Sequence, residues 1–229
     1  MKYIHFIPSA AGDYEIPIPK KASKFIADWY KSGELDYIQD GQTVNGMKRC
    51  IPFLDIMISG YMLVTFNDIE IIKNNNNEIE INWLNKENII SNIIQERKGL
   101  SGHTIPRPLG HLNNHLVWSP QWGWKTPRGY STIITHPYNR FDLPFTTMSA
   151  IVDSDKYYGP GNIPFFLKEN FEGVIPAGTP FAQIIPFKRK KWTSVYDPAL
   201  SMSTDRLASK AREMTGYYKK HIWIKKEYN

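Results

Sequence analysis

Three stretches decide the fold: residues 126–141 read TPRGYSTIITHPYNRF, residues 149–159 read SAIVDSDKYYG, and residues 173–187 read GVIPAGTPFAQIIPF. Each couples a short β-branched or aromatic run to a Gly- or Pro-bearing turn, which is the pattern of strands with punctuated ends. Strands are therefore predicted at Ser131–Thr135, Met148–Val152 and Phe181–Phe187. Working outward, similar runs at Tyr3–Ile7, Gly60–Phe66, Glu78–Trp83, Leu116–Trp118 and Ile163–Phe166 predict five more. Turn signals separate them at Asn74–Asn77, Pro106–Gly110, Pro127–Gly129, Gly159–Gly161 and Pro176–Gly178. Many short strands with such punctuation indicate a mainly β chain, closed as a barrel or sandwich.

Helical spacing occurs in three places. Lys21–Lys31 puts Phe25, Ile26 and Trp29 on one face, and Lys86–Arg97 gathers Ile89, Ile90, Ile93 and Ile94. Asp205–Lys226 repeats Leu207, Ala211, Met214, Tyr218 and Ile222. Ser203, Thr204 and Asp205 offer this last helix an N-cap, and lysines crowd its final turns, where the helix dipole favours positive charge. Trp192–Met202 reads as a linker into it. The chain thus divides into a β-rich domain over 1–191, with an N-terminal arm and a short helix, and a linker with a basic C-terminal α-helix over 192–229.

A chain of 229 residues that is 41% hydrophobic and 14% aromatic can bury one full core, which excludes a disordered tail or a coiled coil. Cys50 is the single cysteine, so neither an intrachain disulfide nor a cysteine metal cage can form. The apolar runs fall short of the ~20 residues of a membrane-spanning helix. Met1–Asp13 lacks a secretory pattern, and a location in host cytoplasm or virion, away from membranes, is expected. The net charge of +6 is uneven: Lys188–Asn229 carries +7 and residues 1–187 carry −1. A basic surface of Lys188, Arg189, Lys190, Lys191, Lys219 and Lys220 would suit phosphate groups, nucleic acid or an acidic partner. Its plainer reading is a solvated helix face.

Common nucleotide, hydride and hydrolase motifs are missing. There is no GxxxxGK loop, no GxGxxG turn, no HExxH and no GxSxG elbow. His103, His111 and His115 cluster before the tryptophan-rich stretch Trp118–Trp124, and His136 follows it. Pro108 and Gly110 oppose the helix that a His-x-x-x-His metal pair would need, so these histidines are expected to donate to backbone carbonyls.

The order of the three opening stretches resembles the body of the dUTP pyrophosphatase family, whose β-clip fold also serves deoxycytidine nucleotide deaminases. Asp153, Asp155, Tyr157 or Tyr158, and Gly159 resemble the family's Val-Ile-Asp-x-Asp-Tyr-Arg-Gly turn, and Gly178, Ala182, Gln183 and Ile184 its Gly-x-x-Ile-Ala-Gln-Leu strand. Arg140, after His136-Pro137-Tyr138-Asn139, falls where the phosphate loop should lie. Short motifs covering about a quarter of the chain carry the likeness. The chain is also similar to uncharacterised phage and bacterial proteins with a Pro-x-Gly-Tyr, Val-x-x-Asp and Ala-Gly-x-Pro-Phe pattern. The resemblance implies a dUTPase-like β-clip or distorted barrel, a nucleotide pocket and a homo-oligomer, with a trimer favoured. The phosphate loop lacks its Ser-Gly, the turn lacks the Arg before Gly159, and a basic helix stands where a Gly-rich arm would close over a triphosphate.

The residues can be read without the family. Asp153 on a turn after an apolar strand is a candidate base for activating water, Tyr157 or Tyr158 a stacking surface, and Arg140 a planar fork for phosphate. Asn139, Asp155 and Gln183 complete the expected ligand set. The plain alternative has the aspartates accepting backbone N–H bonds in a turn. With the clamp and lid missing, a phage-encoded protein that binds a nucleotide or similar phosphate ligand without efficient catalysis is expected. A virion-associated structural protein and a nucleotide pyrophosphatase are the alternatives. No cofactor is expected, and Mg2+ only if the protein is hydrolytic.

Overall fold

The computed structural model describes residues 2–9, 16–74, 78–83, 93–96 and 105–228. The N-terminal part contains β1 (His5–Pro8), β2 (Lys20–Lys21), a 3-10 turn at Ala22–Phe25, α1 (Asp28–Ser32), the hairpin β3 (Asp36–Gln39) and β4 (Gln42–Asn45), and α2 (Ile51–Ile58). The body follows as β5 (Tyr61–Val64), β6 (Ile69–Lys73), β7 (Ile79–Trp83), β8 (Ile94–Glu96), β9 (Leu116–Trp118) and β10 (Trp122–Lys125). It continues as β11 (Tyr130–Thr135), β12 (Phe145–Thr147), β13 (Ala150–Val152), β14 (Ile163–Leu167), β15 (Gly173–Ile175) and β16 (Pro180–Lys188). Beyond it come α3 (Ser201–Glu213) and a π turn at Tyr218–Ile222. The chain is mainly β, as its punctuated runs predict.

Two sheets carry the core. One runs β13-β11-β16-β5-β2 and the other β12-β14-β9-β8, with antiparallel pairing throughout. Where they meet, Trp118 of β9 stacks on Phe165 of β14 at 4.0 Å and on Phe181 of β16 at 4.9 Å, with Phe145 edge-on at 4.9 Å. The Trp118 indole donates to Thr147 Oγ1, whose hydroxyl donates to Phe181 O, so this dry cluster leaves its polar handle satisfied. A third sheet, β15-β6-β7, adds Ile69, Ile71 and Ile175 to the same core. Gly60, at φ +71°, lets the turn between α2 and β5 press against β16, since a Cβ there would lie 2.0 Å from Ile184 O.

The predicted helices fare differently. At Lys21–Lys31 the chain is extended at Ile26 and Ala27, which splits the stretch into a 3-10 turn and the short α1. Ala22, Ala27 and Tyr30 are buried there, whereas Trp29 of the predicted face is 40% exposed. Most of Lys86–Arg97 lies outside the described residues, but its end is the strand β8, drawn into pairing with β9. The C-terminal helix begins at Ser201 and stops at Glu213, where Met214 is extended and Gly216 takes φ +76°. Ser203 and Thr204 bond back to Leu200 O instead of capping, and the Asp197 side chain accepts from the Ala199 N–H. No described helix is long and apolar enough to cross a membrane.

Candidate functional site

Strand register sorts the predicted site residues into two groups. In the β11–β13 pair Thr132 faces Val152, so Asp153 lies beside Ser131 near the start of β11. In the β11–β16 pair Thr135 faces Gln183, so Gln183 lies at the other end, against the turn that carries Asn139 and Arg140. The structure therefore does not bring Arg140 and Asp153 into one cleft.

At the Gln183 end the polar groups are engaged by protein. Gln183 is fully buried, accepts from the Tyr138 N–H at 3.0 Å and donates to Ile56 O at 2.9 Å and Ser59 O at 2.6 Å. It ties the 137–140 turn to the end of α2. The Arg140 fork lies on the Asp142 carboxylate at 2.7–3.1 Å and also donates to Phe25 O, with 15% of the side chain exposed. Asn139 supplies the left-handed corner of the turn, φ +60°. His136 accepts the Thr147 N–H at Nδ1, so its Nε2 bears the proton it donates to Arg140 O. Burial holds its pKa below the ordinary 6.5. His111 also bonds a carbonyl, that of Leu109, as expected, whereas the buried His115 Nδ1 has no partner among the described residues. His103 lies outside the described residues.

At the other end, Asp153, Asp155, Tyr157 and Tyr158 share one turn, closed by the Lys156 and Tyr157 N–H groups on Asp153 O. Sequence reasoning assigns Arg189 to a basic surface, but its guanidinium is the centre of this turn. It donates to both oxygens of Asp155 at 2.9 and 2.5 Å, to Asp153 Oδ1 at 3.0 Å and to Ser131 Oγ at 2.9 Å. Asp155, its side chain 4% exposed, also accepts the Gly129 N–H at 2.8 Å. Underneath, the buried Ser154 hydroxyl meets those of Thr126 and Thr132 at 2.8 and 2.6 Å. The Ser131 hydroxyl, then Arg189, lower the pKa of Asp153; Arg189, then the Gly129 N–H, lower that of Asp155 far more. Both groups are carboxylates at neutral pH, and a base so stabilised is a poor acceptor for a water proton.

Two concavities flank the turn and share no lining residue. On one side is a slot of about 190 Å³, lined by Trp124, Ile134, Ala150, Val152, Tyr157 and Asn162. Trp124 is 4% exposed, and its buried indole N–H has no partner among the described residues. On the other side is an open groove of about 1050 Å³, lined by Lys2, Tyr3, Lys125, Arg128, Lys156 and Arg189 among others. Lys125 Nζ lies 4.7 Å from the ring centre of Tyr158, coupling the turn to β10. Gly123 permits that approach, because a Cβ there would lie 2.1 Å from Tyr158 O. These features define a mainly β protein with an ion-paired acidic turn between an apolar slot and a cationic groove. No family model matches the chain, and no curated protein matches it.

Proposed function

We propose that the chain is a phage-encoded, dUTPase-like β-clip protein that binds a nucleotide or similar phosphate ligand at the Asp153–Gly159 turn, without efficient hydrolysis. One observation carries this reading: an apolar slot edged by Tyr157 and a cationic groove edged by Lys156 lie back to back on a single turn. A planar base and sugar fit the first environment, with the unpartnered Trp124 N–H as a donor, and phosphates fit the second. Weak catalysis follows from the engaged carboxylates and from Arg140, which lies at the opposite end of β11 and is held by Asp142. Phosphoryl transfer depends on positioned charge and a free base at the reacting phosphate, and here the Arg189 guanidinium nearest Asp153 is spent on the two aspartates.

The test is thermal unfolding against a panel of deoxynucleoside mono- and triphosphates. A ligand held by the folded state at a hundred times its Kd stabilises by about 2.7 kcal/mol, a shift of several degrees. No shift at millimolar ligand refutes the reading. Pyrophosphate release with Mg2+ that Asp153→Asn abolishes would establish a nucleotide pyrophosphatase instead.

A second reading, an interaction protein such as a virion component, is supported by a different observation. Between Lys190 and Gly216 every residue but Ser209 is exposed, including Trp192 at 87% and Tyr196 at 91%. Apolar rings left in water on a segment of this length suit burial against another chain. A homo-oligomer, with a trimer favoured, would have a sedimentation mass above 26.5 kDa that a Trp192→Ser, Tyr196→Ser variant loses.

A further inference from the structure

Resting on the nucleotide reading above, we propose that the ligand of this site is single-stranded nucleic acid, with one base in the slot and the strand running along the groove. Three observations favour a strand over a free nucleotide. The groove, about 1050 Å³, lies at the upper end of the ~300–1000 Å³ of ordinary small-molecule sites and is open rather than enclosed, as a passing strand requires. Its charge is lopsided. Lys2, Lys125, Arg128, Lys156 and Arg189 line it with Asp155 as the opposing carboxylate, and Arg189 already engages that group. The side chains of Arg128 and Lys156 form no ion pair or hydrogen bond among the described residues. The register Tyr130 to Lys188 then brings Lys188, Lys190 and Lys191 to the same end of the sheet, so the field continues past the groove. Residues 1–187 together carry only −1, so this is concentration of charge, not a generally basic surface.

The third observation is the interleaving of rings with these cations. Tyr3 is 62% exposed, with its ring centre 6.4 Å from that of His5, Lys2 lies over the Tyr130 ring at 4.7 Å, and Lys125 over that of the 45% exposed Tyr158. Rings stack on any unpaired base while lysine and arginine follow the phosphates, and alternation of the two is how proteins hold a single strand. A duplex offers its phosphates but hides its base faces, so these rings would have nothing to stack on. The turn itself supplies the crossing point, with Tyr157 edging the slot and Tyr158 against Lys125 beside the groove.

Fluorescence anisotropy of a labelled oligothymidylate of about fifteen nucleotides, within the range of known strand-binding sites, tests the proposal on the full chain. Four groove cations lie outside the Arg189 carboxylate pairing, so log K should fall with log salt at a slope of about −3. Tyr3→Ala should weaken binding about tenfold without altering that slope, and Arg128→Ala should make it shallower by about 0.7. Equal affinity for duplex of the same length, or for polyglutamate, overturns the proposal in favour of general polyanion attraction. A mononucleotide that raises the melting temperature while the oligomer binds no tighter overturns the strand but leaves the nucleotide reading standing. No binding of either overturns both.

Discussion

Strands β11 and β16 run side by side, and their two ends have opposite characters. At the Thr135–Gln183 end a buried amide, a neutral imidazole and a paired guanidinium close a turn onto α2. At the Tyr130–Lys188 end an ion-paired acidic turn borders a cationic groove, and an apolar slot runs from that turn along β13 toward Ile134 and Ser149. At the first end the Gln183 amide, the His136 imidazole and the Arg140 guanidinium are all engaged by protein and so give rigidity. At the second, the Arg128 and Lys156 side chains and the Trp124 indole N–H in the slot have no partner among the described residues. The residues expected to form one ligand set fall at both ends, and the proposed ligand site lies at the second.

The contrast can be broken first at Gln183. Gln183→Ala removes the partner of the Tyr138 N–H and of the Ser59 carbonyl and one of two donors to Ile56 O, and should cost about 3 kcal/mol in urea unfolding. Ligand affinity of the folded fraction should be unchanged. A neutral result would mean that this end is not the structural one. Gly123→Ala sharpens the other side: its methyl group must displace the Tyr158 carbonyl, costing about 1–3 kcal/mol and weakening any ligand held by the turn.

Acid should separate the ends in order. The folded His136 has a depressed pKa, so the unfolded chain takes up that proton first and stability falls as pH drops below 6.5 toward the folded value. Asp153 and Asp155 are depressed too, so the stability they give is full above about 3.8 and is lost only as pH falls below it. Melting temperature against pH should show both phases, and a His136→Gln variant should lack the upper one. The smallest effect is expected at Arg128. Arg128→Ala removes an exposed, unpaired side chain and should change stability by less than about 0.5 kcal/mol while reducing oligonucleotide affinity.

Much of the body was legible because its strands carry their own signals. Each of the eight predicted runs overlaps an observed strand, from β1 to β16. β10, WGWK, and β12, FTT, escape because three or four residues are too few to establish an alternation. α2, IPFLDIMI, is apolar on nearly every side and so offers no 3.6-residue period to read. At the site, Asp153, Asp155 and the two tyrosines are visible as a turn after an apolar run. Arg140 misleads because it lies in the connection between β11 and β13, whereas Asp153 lies past the far end of that pairing. Arg189 looks like one cation in a run of four. Its role depends on the β11–β16 register, a long-range property that no local window contains.

The same geometry gives the exposed C-terminal stretch a particular standing. Its start is fastened where β16 ends and Arg189 clasps the aspartates. Further along, the Trp223 indole and the Lys226 ammonium both reach Asp55 of α2 at 2.8 Å, and the Tyr228 ring meets that of Tyr61 edge-on. The segment is thus a strap anchored at opposite poles of one strand pair, not a dangling tail. A protease that nicks it near Trp192 would leave the C-terminal piece held only by the Asp55 and Tyr61 contacts, whereas trimming back past Trp223 would leave the Asp55 carboxylate without either of its donors.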